Sequence, residues 1–203
     1  MARPRTFEMD DAVERALAVF WQNGYEGTSL PVLLEGVGIS RGSLYKAFGS
    51  KGALFERALA LYDERHVQPA CVMLKDDTLG GLERISRVFK GSLGRVLEGD
   101  RRGCLLCTTA SGVAHNDPAI AALVHAQLDA LTEGFASALA DGTEVTDAHR
   151  AGARALTLNY VGLRTMSRSG APADHLQDAV RQTLAGVSAG MAETNTAAPR
   201  GRR

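Results

Sequence analysis

Apolar residues recur along most of this chain with the three-to-four spacing of amphipathic helices. Between about Asp10 and Asn23, Val13, Ala16, Leu17 and Phe20 fall at i, i+3, i+4 and i+7, a single helical stripe. Asp10 and Asp11 stand at its start, where carboxylates oppose the positive end of the helix dipole, and Gly24 stops it. Thr28 and Ser29 offer caps for a short second helix, with Pro31 in its first turn and Gly36 and Gly38 around its end. Ser40 caps a third short helix, roughly Arg41 to Phe48, which Gly49 ends, and Ser50 caps a fourth. Short capped helices with a glycine-containing turn between the second and third make a helix-turn-helix pattern.

The fourth helix carries two stripes, Leu54, Ala58 and Leu61 on one and Phe55, Leu59 and Tyr62 on the other. That pattern predicts a long helix leaving a first domain and entering a second. Beyond Lys75-Asp76-Asp77 a new stripe runs through Leu82, Ile85, Phe89, Leu93 and Val96, and Glu98-Gly99-Asp100 breaks it. Residues 101–114 read as a shorter helix carrying Cys104 and Cys107. Asp117 and Pro118 then open an amphipathic helix of about five turns through Ile120, Val124, Leu128, Leu131, Phe135 and Leu139. The helix predicted over 146–168 is apolar on two sides. The last helix aligns Leu176, Val180, Leu184, Val187 and Met191, flanked by small residues. No period-two strand and no repeat is visible.

The expected architecture is therefore all-α, with about nine helices. Residues 1–50 form an N-terminal arm and a three-helix domain, residues 51–193 a C-terminal helical bundle that dimerises, and residues 194–203 a disordered tail.

Composition narrows the class. The 203 residues are 45% hydrophobic and 23% charged, which excludes a wholly disordered chain. No apolar run reaches the roughly 18–20 residues needed to cross a bilayer, and MARPRTFEMDD has no apolar stretch after its arginines, so it is no secretory signal. Three cysteines are too few for a disulfide framework, and a cytoplasmic protein with reduced thiols is expected. Lys+Arg and Asp+Glu are 23 each, so the chain is formally neutral. The neutrality is not uniform. From Arg41 to Arg57 four residues are positive (Arg41, Lys46, Lys51, Arg57) and only Glu56 is negative.

Gly42 and Ser43 keep the start of the third helix slim, so its backbone would approach a groove wall closely, while Ser43 and Tyr45 bring hydroxyl donors. With these features in order, the stretch from about residue 8 to 56 resembles the DNA-binding domain of the TetR/AcrR family of bacterial transcriptional regulators. The resemblance rests on Phe20-Trp21-Gln22-Asn23-Gly24-Tyr25, Thr28-Ser29, Gly38-Ile39-Ser40-Arg41-Gly42-Ser43-Leu44-Tyr45-Lys46-Ala47-Phe48 and Ser50-Lys51-Gly52-Ala53-Leu54-Phe55. The remainder resembles the family only in helix number and length.

That resemblance implies a homodimer on a palindromic double-stranded operator, with the third helix in the major groove. Arg41, Gly42 and Ser43 would face base edges. Tyr45 and Lys46 would contact phosphate or nearby bases, Thr28, Ser29 and Lys51 would donate to phosphate, and Arg3 and Arg5 would form a minor-groove arm. It also implies an effector pocket in the C-terminal domain, whose ligand releases the operator. The polar candidates among its apolar residues are Thr108, Thr109, Ser111, His115, His125, Asn159, Tyr160 and Arg164.

Cys104 and Cys107 are spaced to share one helix face, with Arg101 and Arg102 nearby to favour thiolate. Arg102-Gly103-Cys104-Leu105-Leu106 resembles a segment of a family subgroup that includes electrophile- and oxidant-responsive repressors, although Cys107 does not belong to that pattern. A thiol-sensing repressor is thus the alternative to a ligand-released one. Metal binding is disfavoured because one C-x-x-C lacks a second ligand pair. A thiol oxidoreductase would expect the pair beside a βαβ unit, which is not visible. No cofactor, no metal and no enzymatic activity are expected.

Overall fold

The structure is a computed structural model and describes residues 5–197, with side chains from residue 9 to 192. Its α-helices are α1 (Arg5–Asn23), α2 (Leu30–Val37), α3 (Arg41–Phe48), α4 (Lys51–Tyr62), α5 (Gln68–Leu74), α6 (Gly81–Leu97), α7 (Leu105–Ala110), α8 (Pro118–Ala140), α9 (Asp147–Arg168) and α10 (Ala173–Ala197). A π-helical turn, Asp63–Val67, runs α4 directly into α5, and a 3-10 turn spans Val113–His115. The fold is all-α, with no strand among the described residues. Taking α4, the π turn and α5 as one helix recovers the nine expected. No described helix is long and apolar enough to cross a membrane.

Two helices depart from their expected bounds. Helix α1 begins at Arg5 rather than near Asp10, so Arg5 lies in a helical turn. Its side chain, and Arg3 altogether, lie outside the described residues. The helix expected over 101–114 shrinks to α7, with Cys104 as the residue before its first turn. Gly103 explains the late start: its φ of +74° is a left-handed conformation that cannot continue a right-handed helix. At the C-terminus α10 continues to Ala197, into the segment expected as tail. Residues 198–203 lie outside the described residues.

The chain forms two compact units. The first runs to Pro69 and includes Arg102–Leu128, and the second holds Ala70–Arg101 and everything from Asp129 onward. In the first, Phe20, Leu33, Leu44, Leu54 and Phe55 are wholly buried. Phe20 meets Phe55 edge to face at 4.8 Å, an arrangement that aromatic quadrupoles favour. The amphipathic stripes read from sequence are what deliver these side chains to one centre.

The second unit packs α6, α9, α10 and the C-terminal part of α8 around Ile85, Phe89, Phe135, Leu163, Leu176 and Val180. Phe89 and Phe135 lie 5.9 Å apart and Tyr160 meets Phe89 edge to face at 5.8 Å. A polar joint ties the start of α6 to the end of α8. Asp141, at φ +46°, accepts from the Gly81 backbone N–H at 2.6 Å and from Arg84 Nη2 at 2.9 Å. Arg84 is 3% exposed and also donates to the Leu74 carbonyl at 3.2 Å. Gly81 is confined: a Cβ there would lie 1.8 Å from the Ala138 carbonyl oxygen.

Candidate nucleic-acid interface and effector region

Local capping explains the geometry of the reading head. Ser29 caps α2, its Oγ accepting from the Val32 N–H at 3.4 Å. Gly38 ends α2 at φ +76°, the left-handed residue that the turn between the two helices requires. Arg15 of α1 braces that turn by donating to the Val37 carbonyl at 3.1 Å. Ser40 then caps α3, accepting from the Ser43 N–H at 3.1 Å, with the two hydroxyls paired at 2.9 Å. Ser50 caps α4 through the Ala53 N–H at 3.0 Å.

Helix α3 buries Leu44 and Phe48, one turn apart, against the core. That anchoring leaves Arg41, Gly42, Ser43, Tyr45, Lys46 and Ala47 exposed together. Tyr45 is 48% exposed, an unusual position for a large aromatic with no packing role. Gly42 has no internal reason to be glycine. A Cβ there would meet only Ser40 Oγ, at 3.9 Å, and its φ is not positive.

Two of the expected contacts are engaged within the fold. Thr28 is wholly buried, and its hydroxyl donates to the Gly24 carbonyl at 2.5 Å. Its side chain is therefore not presented as the phosphate donor expected from sequence; it closes the turn that presents the exposed Ser29. Lys51 is half-buried, donates to the Tyr25 carbonyl at 2.7 Å and lies 4.1 Å from the Tyr25 ring centroid. Burial holds its ammonium below the ordinary lysine pKa, and the Glu26 carboxylate acts in the opposite direction. Burial, followed by the charge of Asp117, raises the Tyr25 phenol.

The effector candidates divide between the units. Cys104, Cys107, Thr108, His115 and His125 belong to the first, and Asn159, Tyr160 and Arg164 to the second. Cys104 is 7% exposed and its Sγ accepts from the Tyr62 hydroxyl at 3.5 Å. Cys107 and Thr108 are half-buried, and Thr108 Oγ1 donates to the Cys104 carbonyl at 3.1 Å. His115 is half-buried and His125 is exposed. In the second unit Arg164 is buried and donates to Ser92 Oγ at 3.4 Å, while Asn159 edges two open grooves of about 320 and 490 Å³ along α9 and α10.

The chain matches the family model described as bacterial regulatory proteins, tetR family, over residues 12–58. It is 30% identical to the uncharacterised HTH-type transcriptional regulator YezE of Bacillus subtilis, over 91% of this chain and 98% of that one. The chain belongs to the TetR family of bacterial transcriptional regulators. The HTH-type transcriptional repressor BdcR of Escherichia coli is 34% identical over 57% of either chain. Among solved structures, a cysteine mutant of the TetR family regulator CifR, complexed with 26-base-pair double-strand operator DNA, superposes with a TM-score of 0.76. It is 31% identical, over 90% of this chain and 98% of that one. The TetR-type match thus covers α1 to α4, where the caps and the exposed α3 donors lie.

Sequence reasoning did not find Arg15 or the Arg84–Asp141 pair. Both act on partners distant in sequence, and neither carries a motif.

Proposed function

We propose that this TetR-family protein is a cytoplasmic, homodimeric repressor rather than an enzyme. It binds a palindromic double-stranded operator through α3 and is released by a small-molecule effector. The observation that carries the reading is the exposed set on α3: Arg41, Ser43, Tyr45 and Lys46 around a glycine that the protein's own packing does not need. Arg41 reads base edges, Lys46 and Tyr45 hold the backbone, and Ser29 and Lys51 donate to phosphate from the flanking helix starts. Lys51 exchanges its Tyr25 carbonyl for phosphate on binding.

Dimerisation is supported by the apolar surface of α9 and α10. Leu158 and Met166 are 70% and 51% exposed, and Ala179, Gly186 and Gly190 leave α10 slim beside them. Pairing with a second copy buries this surface and sets two reading heads one DNA turn apart, about 34–36 Å. Selecting bound fragments from genomic DNA tests the whole reading. A palindrome with half-sites one turn apart is expected; recovery of fragments with no shared sequence would refute it.

Gly42 gives a sharper check. Gly42→Ala is expected to stabilise the first unit by about 0.5–1 kcal/mol, because alanine is the better helix former. The same change is expected to weaken operator binding at least several-fold, because its methyl group occupies the space the DNA needs. Thermal melts and operator titrations should therefore move in opposite directions.

A second reading, in which the release signal is oxidation or alkylation of a thiol, is favoured by Cys104 lying within the first unit beside the Tyr62 hydroxyl. Under it, peroxide or an alkylating agent releases operator from the wild type and not from Cys104→Ser. Equal release from both removes it.

A further inference from the structure

Three consecutive residues outside the helix-turn-helix hold one end of α1. The Arg102 guanidinium carbon lies 3.8 Å from the Trp21 ring centroid. The Gly103 carbonyl accepts from Trp21 Nε1 at 3.2 Å. Cys104 Sγ accepts from the Tyr62 hydroxyl. Tyr62 and His66 close the group, their rings 5.0 and 4.6 Å from the indole and 4.9 Å from each other. Tyr62 ends α4 and His66 lies within the π turn Asp63–Val67 that follows it. Trp21 and Tyr62 are each 4% exposed, so the cation sits on a largely desolvated aromatic surface, where such contacts are strongest.

Trp21 is three residues from the turn that sets up α2. Gly24 N–H donates to the Phe20 carbonyl at 2.8 Å, the Thr28 hydroxyl donates to the Gly24 carbonyl, and Lys51 holds the Tyr25 carbonyl. The same strap touches this turn again, because a Cβ at Gly24 would meet Thr108 Cγ2 at 3.4 Å. Residues 102–108 therefore bear on both ends of the segment that presents Ser29 and Lys51.

The position of the strap in the chain matters as well. The backbone passes between the two units at 69/70, 101/102 and 128/129. The first and last passages lie inside α5 and α8, whereas the middle one is non-helical and ends on Arg102.

We propose that Arg102, Gly103 and Cys104 form a latch on Trp21 and Tyr62 that fixes the turn presenting Ser29 and Lys51, making Arg102 a positioning residue for operator binding. The proposal rests on the reading of α3 as the DNA-binding helix. Arg102 acts through Trp21 and touches no DNA itself.

The test uses the full chain and a selected operator labelled for fluorescence anisotropy, titrated at several salt concentrations. Arg102→Gln removes the cation and is expected to weaken operator binding about tenfold, while Arg102→Lys, which keeps a cation over the indole, stays within about threefold of wild type. The slope of log affinity against log salt should match wild type in both, because every phosphate contact is retained. A residue that neutralised phosphate would instead take about 0.9 from that slope. Unchanged affinity in Arg102→Gln, or an affinity loss accompanied by that fall in slope, overturns the latch. Failure of the underlying reading is visible separately, as wild-type binding with no steep salt dependence.

Trp21 is the only tryptophan of the chain, so its emission reports the latch directly. Acrylamide quenching should increase in Arg102→Gln and change little in Arg102→Lys; equal quenching in all three overturns the proposal. Should Arg102→Gln fail to fold, Tyr62→Phe removes only the hydroxyl that meets Cys104. It is expected to weaken operator binding about threefold with the salt slope intact, and unchanged affinity there counts against the latch.

Discussion

Replacing Asp141 with alanine is expected to lower stability by about 3 kcal/mol, mainly by stranding the Arg84 guanidinium. Arg84 is 3% exposed, and its carboxylate partner is Asp141 Oδ1 at 2.9 Å. Removing one partner of a buried pair leaves a charge that is costly to hold out of water, whereas removing both does not. The exposed side of Asp141, 43% accessible, keeps the effect at the lower end of what a fully buried pair shows. Two further losses act in the same direction. The Gly81 N–H loses its acceptor, and alanine replaces a residue type that tolerates φ +46°. Gly81 cannot move far to compensate, since even a Cβ there would collide with the Ala138 carbonyl.

Asp141→Asn separates these contributions. It keeps an acceptor for Gly81 and the left-handed backbone and removes only the charge, so a loss of about 1–2 kcal/mol is expected. In an Arg84→Met background Asp141→Ala should cost less than in wild type, because no charge is then stranded. Urea unfolding followed by far-UV circular dichroism reads all of these variants. Far-UV detection is needed because Trp21 belongs to the first unit and does not report the second. Equal costs of Asp141→Ala in the two backgrounds would show that the ion pair is not what stabilises the joint.

The reading head was legible from sequence because its determinants are local. Ser29, Ser40 and Ser50 each cap the helix that follows within three residues, and Gly38 and Gly49 take the positive φ that their helix ends need. Periodicity also found much of the buried face of the long helices, but it says which residues are buried and not what they meet. Arg84 and Asp141 are 57 positions apart, and Trp21 and Gly103 are 82 apart. No spacing rule joins such pairs. The short segment around Cys104 departs from its expected helix for a related reason. Its apolar residues suit a helix through 101–114, yet the backbone at Gly103 is left-handed and the helix starts only at Leu105. Thr28 shows the same limit from the other side. A hydroxyl at the start of a helix reads as a donor to an external anion, and tertiary packing turned it inward to Gly24. Beside it Ser29 remains outward, so the sequence located the anion-facing turn and only the fold chose between its two hydroxyls.

Replacing both Arg41 and Lys46 with alanine is expected to abolish useful operator binding, with affinity falling about 100-fold or more at physiological salt. Both side chains are exposed on α3, and neither is needed to bury Leu44 or Phe48, so the helix itself should survive. The two single variants should fail differently. Lys46→Ala removes a point charge from the DNA backbone. It should weaken operator and unrelated DNA alike and lower the salt slope by about 0.9 for each phosphate that is no longer neutralised. Arg41→Ala removes a planar fork suited to the two acceptors on a guanine edge. It should cost about 1–3 kcal/mol per half-site on the operator, relax the preference at one base pair and spare binding to unrelated DNA. Anisotropy titrations of both variants on operator and scrambled duplexes, between about 50 and 200 mM salt, distinguish these outcomes. If Arg41→Ala weakened both duplexes equally, Arg41 would be a backbone contact, and base reading would fall to Ser43 and Tyr45, its exposed neighbours on α3.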